Sequence, residues 1–395
     1  MNKPKDKTKD IPFTVDELAT AYFTERGDEQ QDIAEKLGIS RTKVCHLIAR
    51  ARKRCLHQEL KFLSERVPQN LLEEMYVRVA RLELPPLLAK LAPAEHARKL
   101  SVKICYCGPG NDQQRMRMLG QEAASYVRTL IRRSESCGLT WGGTLEAVVA
   151  GLRQLPHPSP WNDHDVEFVP LSGEPLGKGR HSFASSSLAR ELGSIVNKAE
   201  YDPPSLAMVP AFVPDIGFEE TERSVVWKLI ELVEDYLKIF GPHDNDVDNP
   251  RYARLGTPKA MGLDMILTSV GSSEHPLGFG RGILFDHMRV TYHALTSLLA
   301  AEVGGVCIPK PNLTAVETRQ LSTVQGSWTG LRLEHLEACA RRVTHAHYGP
   351  PGVVVISGGS KRADAVREMI RQGLVNHLIV DEVLAKELNL PTQVP

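Results

Sequence analysis

From residue 99 onward, short apolar runs alternate with amphipathic helical stretches, and no other feature of the chain constrains its fold as tightly. The runs are 102–107, 166–171, 205–209, 265–270, 320–324, 353–357 and 378–380. Several are β-branched and several end in glycine. Helical spacing fills the gaps, over 114–133, 143–153, 182–198, 221–240, 287–301, 331–345, 360–372 and 382–388. Strands that are apolar on both sides must be covered on both faces, and strand–helix alternation supplies that cover through parallel crossovers. The pattern predicts an α/β domain over 99–395 built on a Rossmann-like parallel sheet. The Asp-, Asn- and Pro-rich segment 241–262 and the Gly- and Ser-rich segment 272–282 read as irregular insertions.

Before residue 99 the pattern is different. Residues 1–12 read as a polar tail, 14–60 as helices, and 61–98 as a helical linker broken at Pro68, Pro85, Pro86 and Pro93. This divides the chain into a helical domain at 1–60, a linker at 61–98 and a larger domain at 99–395. The segment 31–54 reads QDIAEKLGISRTKVCHLIARARKR. Ile33, Ala34 and Leu37 share one helix face, and Gly38 is placed to end that helix in the left-handed region. Ser40 is a good N-cap for a second helix. That helix turns Val44, Leu47, Ile48 and Ala51 inward. A helix, a tight glycine turn and a second helix with a basic outer face form a helix-turn-helix. The first turn of such a second helix reaches base edges in the major groove. The predicted DNA-reading residues are Ser40, Arg41, Thr42, Lys43, His46 and Arg50. Arg41 and Lys43 suit guanine and Thr42 suits a thymine methyl, whereas Arg50 and the positives after it suit phosphates.

The overall charge does not oppose this reading. The chain has 48 basic and 48 acidic residues among 395, a formal net charge of zero. Their distribution is uneven: Arg41, Lys43, Arg50, Arg52, Lys53 and Arg54 form a stretch without a carboxylate, and an acidic stretch precedes it. The seven cysteines are irregularly spaced and read as reduced thiols in a cytoplasmic protein, with no metal site and no cofactor. The lysine-rich start has no apolar core of a signal peptide, and no apolar run is long enough to span a bilayer.

The larger domain carries glycine-centred loops at predicted strand ends. LTWGGTL at 139–145 places Gly142, Gly143 and Thr144 at a helix start, where N–H groups point at an anion. VVVISGGSK at 353–361 places Gly358, Gly359 and Lys361 in a similar position, and it is not a Walker A loop. Such loops meet where open α/β sheets bind ligands. Three further glycine loops lie at 171–173, 270–273 and 303–306, the first with Ser172 and Gly173 and the second with Gly271. Asp381 follows the last apolar run, placed either to hold a sugar hydroxyl or to cap the next helix.

At these loops the chain resembles the SorC family of sugar-responsive transcriptional regulators. The resemblance is carried by 33–44, by LTWGGTL with the preceding QEAASYVRTLI, and by the closing SGGSKRADAVREMIRQGLVNHLIVDEVLAKEL. It implies a C-terminal domain related to sugar isomerases and CoA transferases that binds phosphosugars without turning them over. Carried over by position, Gly142, Gly143 and Thr144 hold phosphate, Gly358, Gly359 and Lys361 complete the site, and Ser172 and Gly173 line it. The chain departs from the family at Ser172, where some relatives carry a strong anion binder, and at Gly305, where many carry an acidic residue.

The expected function is a ligand-controlled regulator with three partners: double-stranded operator DNA, a sugar or sugar-phosphate effector, and further copies of itself as a dimer or tetramer. Two other readings stand beside it. One is a sugar-phosphate isomerase-like enzyme fused to a DNA-binding head, with Asp381, His347, Glu274 or His275 as acid/base groups. The other is a sigma-like factor. No pair of residues has a spacing that compels catalysis, and the expectation is a non-enzyme.

Overall fold

A computed structural model describes residues 14–25, 28–53, 71, 92–93, 96, 99–155, 164–174, 181–197, 202–213, 220–242, 256–271, 292–346 and 348–390. The expected linker falls almost wholly outside these residues, as do His347, Glu274 and His275.

Three helices open the chain: α1 (Val15–Glu25), α2 (Gln30–Leu37) and α3 (Arg41–Lys53). Their shared core contains Leu18, Phe23, Ile33, Leu37, Val44 and Ile48. All the inward positions expected of α2 and α3 are buried.

The larger domain is built on a six-stranded parallel sheet. Its strands are β1 (Ser101–Cys105), β2 (Ser136–Leu139), β3 (Glu167–Pro170), β4 (Met265–Ser269), β7 (Gly352–Ser357) and β8 (His377–Asp381). Their order is β1-β8-β7-β4-β2-β3. A separate antiparallel hairpin joins β5 (Leu299–Val303) to β6 (Val306–Pro309). Alternation along β7 shows why its run is apolar throughout. Val353 and Val355 enter the core under one set of helices, while Val354 and Ile356 enter the other. Helices α4 (Asp112–Ile131), α5 (Gly143–Gln154) and α6 (Ser185–Val196) cover the second face. The first face is covered by α7 (Glu220–Ile230), α8 (Glu234–Phe240), α11 (Leu333–Arg342), α12 (Ala363–Arg371), α13 (Glu382–Glu387) and the hairpin. Two further helices are α9 (Tyr292–Leu298) and α10 (Ala315–Gln325).

The structure corrects several local expectations. The run 320–324 lies inside α10, because Thr314 and Glu317 form a reciprocal capping box that starts a helix ahead of it. The run 205–209 is a turn, in which Val209 donates its N–H back to Leu206. The stretch 287–301 ends as strand β5, and the expected loop at 303–306 is the tip of the β5–β6 hairpin. The stretch 221–240 is two helices. Strand β2 was absent from the expected set, since Ser136, Cys137, Gly138 and Leu139 are weak strand formers. Pairing with β3 and β4 on either side makes it a strand.

From β2 the chain moves to β3 on one side, and from β4 it moves to β7 on the other. The topological switch point therefore lies between the carboxyl ends of β2 and β4, and the crevice outside that point is the ligand position of an open α/β sheet.

Candidate functional site

The three-helix head presents an ordered basic surface. Gly38 ends α2 at φ 65°, ψ 34°, with its N–H directed to the Ala34 and Glu35 carbonyls. The Ser40 hydroxyl accepts from the Lys43 N–H at 3.2 Å, which starts α3 as a capping side chain does. Arg41, Thr42, Lys43 and His46 are exposed on the first turns of α3. Lys43 is also 3.1 Å from Asp16 of α1, a partly solvated pair that is readily exchanged for a phosphate. Arg50 is placed differently from its expected role. Its Nε lies 3.1 Å from an oxygen of Glu17, whose side chain is fully buried. Arg50 therefore clamps α1 to α3 and supplies the counter-charge that keeps a buried carboxylate tolerable.

The second site is the crevice at the switch point. Gly142 caps α5 at φ 127°, a conformation that disfavours any residue with a side chain. Gly143 and Thr144 occupy the first helical positions, where backbone N–H groups lack intrahelical acceptors. The Ser269 hydroxyl at the end of β4 lies beside Gly142, 3.6 Å from where a Cβ would stand. Across the crevice, β7 ends at Ser357, whose hydroxyl is buried without a hydrogen-bond partner. Gly358 and Gly359 follow it.

Here the structure separates residues that the sequence grouped. Lys361 is exposed on the turn of 3-10 helix Ser360–Arg362. Its neighbour Arg362, not singled out from the sequence, turns inward. Its Nε donates to the Val270 carbonyl at 3.1 Å, and a terminal nitrogen donates to the Gly358 carbonyl. Arg362 thus bridges the ends of β4 and β7. Among the described residues no carboxylate pairs with it directly, and burial lowers its pKa against the opposing pull of Asp381 and Asp112. A shielded guanidinium bonded only to neutral carbonyls is a strong anion receptor.

Asp381 is committed elsewhere. One oxygen accepts from the Leu384 N–H at 2.8 Å, capping α13, and both accept from the Gly359 N–H at 3.1 Å. Arg115 of α4 pairs with it at 2.8 Å and with Glu382 at 2.9 Å. Burial alone would lower the Arg115 pKa, but the hydrogen bonds to these two carboxylates raise it. Of the two roles open to Asp381 in the sequence, the structure shows the cap, and its occupied oxygens argue against a sugar hydroxyl or acid/base chemistry. Gly358 must be glycine for this arrangement, since a Cβ there would stand 2.8 Å from Asp381.

Ser172, Gly173 and Gly271 also have structural partners. A Cβ on Gly173 would stand 2.5 Å from the Val209 carbonyl, so its absence lets two backbones meet. Ser172 is fully buried, with its carbonyl accepting from Ser185 at 2.6 Å and its own hydroxyl lacking a partner. Gly271 donates to the Glu302 carbonyl at 2.8 Å, and its missing side chain makes room for the Glu302 carboxylate. Glu302 is buried and accepts from the Gly305 N–H at 2.5 Å. The hairpin tip thereby carries an acidic group beside the crevice, although position 305 itself is glycine. Gly305 packs flat on Trp328, which meets Trp141 edge-on at 5.2 Å between centroids.

The described residues contain no cluster of metal-ligating side chains. Burial raises the thiol pKa of Cys105, Cys107 and Cys307 to about 12, leaving them inert. No helix among the described residues is long and apolar enough to cross a membrane.

Residues 98–223 match the family model described as a putative sugar-binding domain. No curated protein matches the chain. The full-length sorbitol operon regulator SorC from Klebsiella pneumoniae is similar in structure, with a TM-score of 0.51 at 16% identity, covering 95% of this chain and 97% of that one. A DeoR family transcriptional regulator from Listeria monocytogenes has a TM-score of 0.47 at 15% identity, covering 76% and 99%. A transcriptional regulator from Streptococcus pneumoniae TIGR4 has a TM-score of 0.48 at 17% identity, covering 78% and 96%. Residues 98–223 are therefore similar to a sugar-binding domain, and the chain shares its overall fold with the full-length SorC regulator.

Proposed function

We propose that this protein is a ligand-responsive DNA-binding transcriptional regulator whose C-terminal domain binds a sugar or sugar phosphate. The observation that carries the proposal is the geometry of α3: a helix capped by Ser40, anchored by its apolar face, with Arg41, Thr42, Lys43 and His46 outward. That surface fits the major groove. The matched sugar-binding domain and the crevice supply the sensor. Gly143, Thr144 and the guanidinium of Arg362 suit an anionic group, and Glu302 and Ser269 line the same edge of the sheet as hydroxyl acceptors.

The proposal includes binding without turnover, since Asp381 is held in structural bonds. It also includes self-association, because paired half-sites reward two-fold symmetry. A thermal-stability panel of sugar phosphates and free polyols tests the sensor half. A ligand at ~100 times its Kd that binds only the folded state adds about 2.7 kcal/mol. A shift with one phosphosugar, with no product formed, supports the reading. Product formation would contradict the non-enzymatic part of it.

A further inference from the structure

The amino-terminal edge of the sheet, opposite the crevice, holds a contact that neither site explains. The three-helix core of the head receives a ring from the far end of the chain: Tyr348, half-buried, packs against it. Tyr348 stands in the connection from α11 to β7. Its N–H donates to the His345 carbonyl at 3.3 Å, and the two residues form an antiparallel bridge. Val343, His345 and Ala346 are buried, so the base of this turn is set into the end of the sheet. Arg133, just beyond α4, fixes it from the side. The guanidinium donates to the Ala346 carbonyl at 3.1 Å and to the Gly349 carbonyl at 2.9 and 3.1 Å.

Two elements that hold this turn reach the crevice at their other ends. Strand β7 runs from the turn to Ser357 and Gly358. Helix α4 has 20 residues, about 30 Å of rise. It begins beside Arg115, which pairs with Asp381, and ends beside Arg133.

We propose that the turn bearing His345, Ala346, Tyr348 and Gly349 is an intramolecular docking surface for the helix-turn-helix, with Tyr348 as the anchor and Arg133 as its positioning residue. A head this small buries little apolar surface by itself, and the Tyr348 ring adds to its core. Docking leaves Arg41, Thr42, Lys43 and His46 exposed. It therefore orients the reading helix without covering it, and ties that orientation to α4 and β7. The head-and-sensor reading is used only to name the two bodies. The test needs neither DNA nor effector, so failure of that reading is separable from failure of this one.

Amide hydrogen exchange on the full chain provides the test, with Tyr348→Ala, Tyr348→Phe and Arg133→Gln beside the wild type. In Tyr348→Ala the amides of α1–α3 should exchange about tenfold faster, about 1.4 kcal/mol of lost protection, while β7, β8 and α12 keep their rates. Arg133→Gln should accelerate the head less, and Tyr348→Phe should match the wild type because the ring remains. Equal head rates in wild type and Tyr348→Ala would overturn the docking. So would acceleration spread evenly over the sheet, which would assign Tyr348 to the fold of the sensor domain. Rates should not change with protein concentration. Head protection that falls on dilution would assign the contact to a second copy and overturn the intramolecular arrangement.

Discussion

Arg362 and Lys361 are neighbours with the same charge, yet they face different surroundings. The 3-10 turn after Gly359 sends Lys361 to solvent and Arg362 between the ends of β4 and β7. Replacing a buried charge-assisted donor costs about 1.5–3 kcal/mol. Arg362→Ala should therefore weaken binding of a phosphorylated effector by about 10- to 100-fold, whereas Lys361→Ala should change it less than about threefold. Titration of both variants with the phosphosugar that stabilises the wild type checks this; a larger loss in Lys361→Ala would reverse the assignment. His335 gives a second residue-scale prediction. Burial and the charge of Arg332 lower its pKa from 6.5 to about 4. Its Nδ1 accepts the Arg332 N–H at 3.1 Å, so the folded state holds the neutral ring. The unfolded chain takes up the proton first as pH falls. His335 thus contributes stability that is fully present above pH 6.5 and lost on the way down to about pH 4. Urea midpoints measured across that window should fall steeply in the wild type and less steeply in His335→Gln.

Between elements, the fold depends on close approaches and on one buried charge. A Cβ on Gly120 of α4 would stand 2.4 Å from the Ala147 backbone in α5. Gly120→Val should destabilise the larger domain by about 3 kcal/mol, visible as a lower urea midpoint with the head helices intact. In the head, Arg50→Ala removes an ion-pair partner of the buried Glu17. Buried pairs broken in this way cost about 3–5 kcal/mol, and the solvent access of Arg50 reduces that to about 2 kcal/mol. The variant should lose head stability even without DNA; a loss of DNA affinity alone would make Arg50 a phosphate contact instead. These elements also show what was legible in the sequence. Gly38, Ser40 and the inward face of α3 follow from local periodicity and capping, and the structure reproduces them. The β-branched runs of β4, β7 and β8 were equally plain. Strand β2 was hidden because its residues become a strand through neighbours far away in the chain. The β5–β6 hairpin was hidden because it continues directly from a helix. In the crevice, the glycines of 142–143 and 358–359 were legible. Arg362, Arg115 and Glu302 were not, because each acquires its place through a contact distant in sequence or through the direction of a single turn.

At the scale of the whole molecule, a chain of zero net charge concentrates positive charge on one helix of its head and an anion-suited crevice in its larger domain. The acidic residues of α1 partly offset the positives of α3. DNA affinity should therefore fall with salt along a shallow slope, because few phosphates are neutralised. Arg52 is exposed on α3, and Arg52→Ala should lower the salt slope by about one and weaken all sequences alike. Arg41→Ala should cost about 1–3 kcal/mol against the preferred sequence and relax the choice of base. The most direct test of the account joins both ends of the molecule in one titration. A duplex selected by the protein from random sequence is titrated at fixed salt, with and without the phosphosugar that stabilises the folded protein. The expected result is a change in affinity of at least about fivefold, the usual lower range for coupling between sites, and loss of that change in Arg362→Ala. Tight, selective DNA binding that the sugar leaves unaltered would contradict it.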